Sequence, residues 1–381
     1  DSNQELLKQS DLKCKKTKIG NSKYQVYWDR ISVSIDREDS KKGHLQIPYC
    51  IIKSNSEKKE RTPVFFLCGG PGDSNLQFDF PVILLENHDV VLVGYRGIDC
   101  SKPFNFKHSK KVMKALGDEL SWEYLERLAH AEARDVAEAK ADGIHVENYT
   151  MIDVIDDVED VRRHLGYSSI NLFSESYGTR VAYIYSIRYP ESLNRSVMLC
   201  VNPPGRFVWE PGMLDQQLAD YNRIWCCNPE NLKKSSNLIQ SMKSSFENLP
   251  KRWFGIRLSP AKIKIMSFIH LYNRKRAALL FDAFVKAGKG DYSGLALLSI
   301  LCDITSANWG ETLFKGGTAD LDVDRNYFQE MNPKYSILGS PISMLHWVPM
   351  QINNIIEKMI PECYRKLCDV KTETLLINGS L

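Results

Sequence analysis

The sequence of 381 residues holds no stretch approaching 18 consecutive apolar residues, so nothing in it reads as a bilayer-spanning helix. It lacks a charge excess. Fifty basic and 47 acidic residues leave a net charge of +3, which implies no large polyanionic partner. Cysteine is sparse, at ten residues, far below the density of a small disulfide scaffold. Internal repeats and low-complexity blocks are missing, which excludes solenoids and linker-like chains. With 22 glycines and 16 prolines the chain is not collagen-like. The eight histidines form no pair with a cysteine or carboxylate at metal-ligand spacing. What is present is ordinary globular material, 43% hydrophobic and 25% charged, long enough to bury a core without staples.

The first 60 residues read as strands. Tyr24 to Asp36 and His44 to Lys53 are rich in Val, Ile and Tyr, and the polar stretch Arg37 to Gly43 joins them as a hairpin. Val64 to Cys68 and Val90 to Val93 are short continuous apolar runs, as strands buried on both faces require. Residues 110–165 read as helical. Thr150 is placed as an N-cap with Asp153 in the first turn, Val154, Val158, Val161 and Leu165 recur at helical spacing, and Gly166 stops the helix. Ile170 to Phe173 is a further strand, Gly178 to Tyr189 a helix ended by Pro190, and Val197 to Val201 a strand. Strand and helix thus alternate from 62 to 205, which predicts a doubly wound, mostly parallel sheet with helices on both faces. From 206 to 366 the apolar spacing turns helical, and Lys371 to Gly379 resumes a strand. The expected division is an α/β core over 1–205, a large helical cap inserted over 206–366, and a return to the core over 367–381.

Ser174-Glu175-Ser176-Tyr177-Gly178-Thr179 follows a strand and opens a helix, the setting of a nucleophile elbow. The turn is tight, so the residues two before and two after the serine must be small; Ser174, in place of the usual glycine, and Gly178 comply. The alternative is a serine that merely caps a helix. Cys68-Gly69-Gly70-Pro71-Gly72 ends the strand beginning at Val64. A nucleophilic serine needs backbone N–H groups aimed at the developing oxyanion, and glycines let the chain come close. In this arrangement Gly70 and Tyr177 would supply them, although glycine-rich turns after strands are common. Gly94-Tyr95-Arg96-Gly97-Ile98-Asp99-Cys100-Ser101 is assigned support of the site's floor, against the alternative of a polar loop with a solvated arginine.

These motifs, in this order, resemble the prolyl and tripeptidyl aminopeptidase branch of the α/β-hydrolase superfamily. Residues 156–166, Tyr189-Pro190-Glu191-Ser192 and Arg195 to Met198 extend the resemblance, which is close from 62 to 210, looser over 24–61 and the insertion, and returns at Glu373 to Ser380. It implies an α/β-hydrolase fold, a serine peptidase whose cap roofs the site, action on short peptides from their amino ends, Ser176 as nucleophile, and Gly70 and Tyr177 as oxyanion donors. It implies no metal and no organic cofactor, and it favours export to the periplasm or outside. Cys68 departs from the more usual His or Pro before the paired glycines. The triad acid and histidine are expected after the strand at Leu375 to Asn378, and so beyond Leu381. A chain that starts at Asp1 and stops just past an apolar strand is expected to be processed or clipped, C-terminally incomplete, and inactive as given.

Other features carry blander readings. His164 and His346 are assigned to packing. Cys68 and Cys200 read as small buried hydrophobes, with disulfides among Cys226, Cys227, Cys302, Cys363 and Cys368 left open. The basic stretch 233–276, with Trp253, Phe254, Phe268 and Tyr272 between its charges, is assigned to a solvated cap face and not to nucleic acid. Glu311 and Asp303 are both candidates for holding a substrate ammonium, with no choice between them. An esterase or lipase on the same scaffold, or a catalytically dead binding module if the chain ends at Leu381, are the competing functions.

Overall fold

A computed structural model describes residues 13–379 apart from 59, 61, 115–117 and 305–312. One eight-stranded sheet organises it. Strands β1 (Lys13–Ile19), β2 (Ser22–Ser34) and β3 (His44–Ile52) form an antiparallel meander, and β3 pairs antiparallel with β5 (Val90–Val93). From β5 the sheet is parallel through β4 (Val64–Leu67), β6 (Ile170–Glu175), β7 (Leu193–Leu199) and β10 (Glu373–Ile377). The order is β1-β2-β3-β5-β4-β6-β7-β10; β8 (Arg252–Trp253) and β9 (Ile256–Arg257) make a separate ribbon.

Residue pattern explains the elements. All four residues of β4 and of β5 are buried, as strands covered on both faces must be. In β2 the buried positions switch phase: Tyr24 and Val26 face one core, Ile31 and Val33 the other. The hairpin expected from 24 to 53 is β2–β3, while β1 lies before the first apolar alternation and was not anticipated. Its Lys13-Cys14-Lys15-Lys16 run is exposed, so it carries no burial pattern to read.

Helices α1 (Lys107–Met113), α2 (Trp122–Ala141), α3 (Met151–His164) and α4 (Tyr177–Arg188) contribute to the larger core, with Leu125, Val158 and Val181 fully buried there. Thr150 and Asp153 form a reciprocal capping box on α3, and Gly166 ends it at φ 69°. Against the other sheet face lie Phe80 and Leu85, the latter on the 3₁₀ turn Val82–Glu86.

The expected single cap of 206–366 divides between two cores. Helices α5 (Pro211–Cys226), α6 (Pro229–Lys234), α7 (Leu238–Glu247), α8 (Pro260–Leu271), α9 (Arg274–Ala287) and α10 (Ser293–Ile304) follow one another, and all but α6 bury residues in a core of their own. Phe314, Ala319, Trp347 and Tyr364 instead join the main core. Helix α11 (Pro341–Asn353) accounts for this, because it packs along α2 and also against α8, with Ile342 in the second core. Most of the basic stretch is solvated, with Lys251, Arg252, Arg257 and Arg274 to Arg276 exposed and Lys234 in an exposed pair with Asp282; Lys262, buried beside Glu119, is the exception. Among the described residues no helix is long and apolar enough to cross a membrane.

Arg96 ties the meander to α3. It is fully buried, not solvated. Its guanidinium grips Asp157 with Nε at 2.8 Å and Nη2 at 2.6 Å, and it donates to the carbonyls of Ile35 at 2.6 Å, Asn148 at 3.0 Å and Ser34 at 3.0 Å. Every N–H of the fork is used, which a lysine could not reproduce. Arg96→Met leaves the Asp157 carboxylate buried with only Arg37 beside it, and should cost about 3–5 kcal/mol in urea unfolding, with Arg96→Lys recovering little.

His346 on α11 is 7% exposed, and burial holds its pKa down to about 3. The unfolded imidazole takes a proton near 6.5, so the unfolded state binds more protons below that pH and stability falls as pH drops from about 6.5 toward 3. His346→Leu should flatten this acid limb in unfolding measured across that range; an unchanged slope would refute the assignment.

Candidate active site

The carboxyl ends of the central strands stand level: Leu67 of β4 pairs with Ser174, and Glu175 of β6 with Leu199, which pairs in turn with Ile377. Ser176 stands just past this edge, between β6 and α4, with φ 48° and ψ −114°. A non-glycine residue in that region is strained by about 1–3 kcal/mol and persists only where its neighbours impose it. Here they do. Ser176 N–H donates to Leu199 O at 2.9 Å, and Ser176 O accepts from Thr179 N at 3.0 Å and Thr179 Oγ1 at 2.6 Å. Helix α4 can begin at once because residue 178 has no side chain: a Cβ there would lie 2.1 Å from Leu67 O and 2.8 Å from Cys68 O. Ser174 serves in place of glycine because its side chain is buried, with Oγ donating to Val197 O at 3.1 Å.

The glycine loop abuts the serine. A Cβ on Gly69 would lie 3.0 Å from Ser176 Cβ and 3.7 Å from its Oγ. Gly70 has φ 73°, and a Cβ on it would meet Asp73 Oδ2 at 2.2 Å. Asp73 N closes the turn by donating to Gly70 O at 3.1 Å. Tyr177, the other expected donor, opens α4 with its N–H in the helix's first turn, where such groups point out of the N-terminal end. Its ring is buried edge-on to Tyr95 at 5.7 Å. Burial pushes the Cys68 thiol up to about 12, so it is no competing nucleophile.

Asn75, which no sequence motif marked, and Asp99, in the loop assigned to the floor, knit this floor together. Asn75 is buried; its Oδ1 accepts from Cys68 N at 2.8 Å while Nδ2 donates to Phe66 O at 3.0 Å and Val93 O at 2.8 Å. It therefore bonds to both β4 and β5 near their carboxyl ends. Asp99, quoted as part of the supporting loop, accepts from Tyr95 N at 2.8 Å, Asn75 N at 3.1 Å and Ser74 Oγ at 2.5 Å. A third, Asp320, takes the buried Arg180 of α4 through both oxygens, at 3.1 and 3.0 Å, and accepts from Gly205 N and Phe207 N at 3.1 Å each. Asn75 lay close enough to the glycine loop to be suspected; nothing local marks Asp320, which is 140 residues from its partner.

Among the described residues no histidine hydrogen-bonds Ser176. His88 bonds Thr62 O, His108 pairs with Glu138, His270 bonds Met266 O, and His164 packs edge-on against Tyr49. Ser176 is exposed, and the cap helices bury their apolar residues in their own core. Glu311 and the side chain of Asp303 lie outside the described residues. Among those described, no cluster of three His, Cys, Asp or Glu could hold a metal ion. Gly178→Ala forces backbone off backbone and should destabilise the protein by about 3 kcal/mol, the upper end of overpacking costs, as read by thermal unfolding.

Residues 62–237 match a family model described as the alpha/beta hydrolase fold. The tripeptidyl aminopeptidases of Streptomyces lividans and Streptomyces coelicolor are each 27% identical over 209 residues, which is 51% of this chain and 38% of theirs. YuaR of Escherichia coli (strain K12), whose name assigns it to the hydrolases only provisionally, is 24% identical over 53% of this chain and 41% of its own. The matched stretch is thus about two fifths of these relatives' length. Among solved structures, 2-hydroxy-6-oxo-6-phenylhexa-2,4-dienoate hydrolase from Rhodococcus sp. strain RHA1 aligns at 12% identity and TM-score 0.34, over 94% of this chain and 82% of that one. The chain thus has the alpha/beta hydrolase fold, matched over residues 62–237, and is similar, over about half its length, to tripeptidyl aminopeptidases.

Proposed function

We propose that the protein is a serine peptidase that removes residues or short peptides from peptide amino termini through an acyl-enzyme on Ser176. The observation that carries this reading is the strained conformation of Ser176 directly against Gly69, at the carboxyl edge of a parallel sheet. A serine held there presents Oγ to a carbonyl carbon while the oxyanion forms between the glycine loop and the start of α4. Gly70 N–H and Tyr177 N–H are the donors in this scheme. Oγ attacks, its proton passes to an imidazole, the amine leaves with that proton, and water then releases the acyl group. The similarity to tripeptidyl aminopeptidases supports a peptide substrate over an ester.

None of the eight histidines bonds Ser176, so in this scheme the general base comes from outside residues 1–381. Residues 1–381 alone should therefore hydrolyse tripeptidyl and aminoacyl anilides far more slowly than the product of the complete gene; equal rates would place the base inside this stretch. In the complete product, Ser176→Ala should lower kcat by several orders of magnitude with folding intact. Near-normal turnover in that variant would remove Ser176 from the chemistry. Faster hydrolysis of simple acyl esters than of any N-terminally free peptide would move the assignment to an esterase.

A further inference from the structure

We propose that Lys315, on a segment distant in sequence, is a positioning residue for the oxyanion loop, so that this segment sets the geometry of the site. The proposal rests on the reading of Ser176 as nucleophile. Lys315 lies on a single π-helical turn, Leu313–Gly317, that runs into the short helix Thr318–Asp320. Such turns recur at functional sites. Its side chain has no exposed surface, which is costly for an ammonium unless polar groups surround it. Nζ donates to Pro71 O at 3.2 Å and stands 5.8 Å from the centre of the Tyr95 ring. Pro71 follows Gly70 directly, and Tyr95 OH donates to Cys68 O at 3.2 Å. The Cys68–Pro71 turn is therefore held by hydrogen bonds at both ends, one of them from Lys315.

The same segment holds the nucleophile's helix. Asp320, five residues on, takes Arg180 of α4, and the chain is seated by Ile360 N donating to Thr318 O at 2.9 Å and Arg365 Nε donating to Ala319 O at 2.9 Å. One rigid strap thus grips the loop that carries Gly70 and the helix that starts at Tyr177. The separation of the two expected donors is what an oxyanion hole must keep constant, and a misplacement of a fraction of an ångström weakens transition-state binding more than substrate binding.

The test uses the complete gene product with a tripeptidyl anilide, an organophosphorus reagent to count reactive serines, and a peptide boronate as transition-state analogue. Lys315→Met should lower kcat per titrated site by about ten- to hundredfold with KM within about twofold, and weaken boronate binding by the same factor. Lys315→Arg, which keeps the donor and the charge, should recover most of the loss. If Lys315→Met does not fold, Lys315→Gln is compared with Lys315→Arg, and only Gln should show the defect. Unchanged kcat per site in the neutral variants, or a rise in KM alone, overturns the proposal while leaving Ser176 in place. Persistent turnover in Ser176→Ala overturns the nucleophile reading first, and the two failures are told apart by that variant.

Discussion

The missing side chain at residue 178 is the constraint on which the site depends. Helix α4 starts so close to the end of β4 that only hydrogen fits between residue 178 and the carbonyls of Leu67 and Cys68. That proximity makes the strand-to-helix turn sharp, and the sharp turn puts Ser176 in the left-handed region. Without it the serine would merge into the helix and its hydroxyl would turn along the helix surface. The strain is offset by the bond from Ser176 N–H to Leu199 of the sheet and by the two bonds from Thr179 of α4.

Around this turn the protein builds its floor from polar groups that are fully committed. Asn75 and Asp99 lock the loops after β4 and β5 to one another, and Arg96 with Asp157 locks the meander to α3. Asp320 reaches across from the other end of the chain to Arg180. Arg96, Asp157, Arg180 and Asp320 are buried, so each of these charges would be destabilising alone and is tolerable only with its partner. The result is a site whose parts come from five stretches of sequence yet cannot shift independently. Ser176 itself is exposed.

Beyond the site the structure is less closed. Leu375, Leu376 and Ile377 of β10 are 57%, 58% and 45% exposed, although the strand pairs in register with β7. Apolar residues at that exposure on a parallel strand are unusual, since parallel sheets are normally covered on both faces.

Much of this was legible in the amino-acid order because the responsible forces are local. Buried runs such as Val90 to Val93, the capping pair Thr150 and Asp153, the stop at Gly166 and the small residues flanking Ser176 each act within a few positions of themselves, so their spacing states their structure. Strand β1 escaped because an exposed edge strand needs no apolar alternation. Only the tertiary structure decided that 206–366 is shared between two cores, that Arg96 is buried, and that Asp320 and Lys315 brace the elements bearing Ser176 and Gly70. Those outcomes depend on which charges meet after the chain has travelled 61, 140 and 244 residues. Pairing at such separations leaves no periodicity behind, because a salt bridge or a lysine–carbonyl bond is specified by the packing of the elements that carry it and not by the residues beside it.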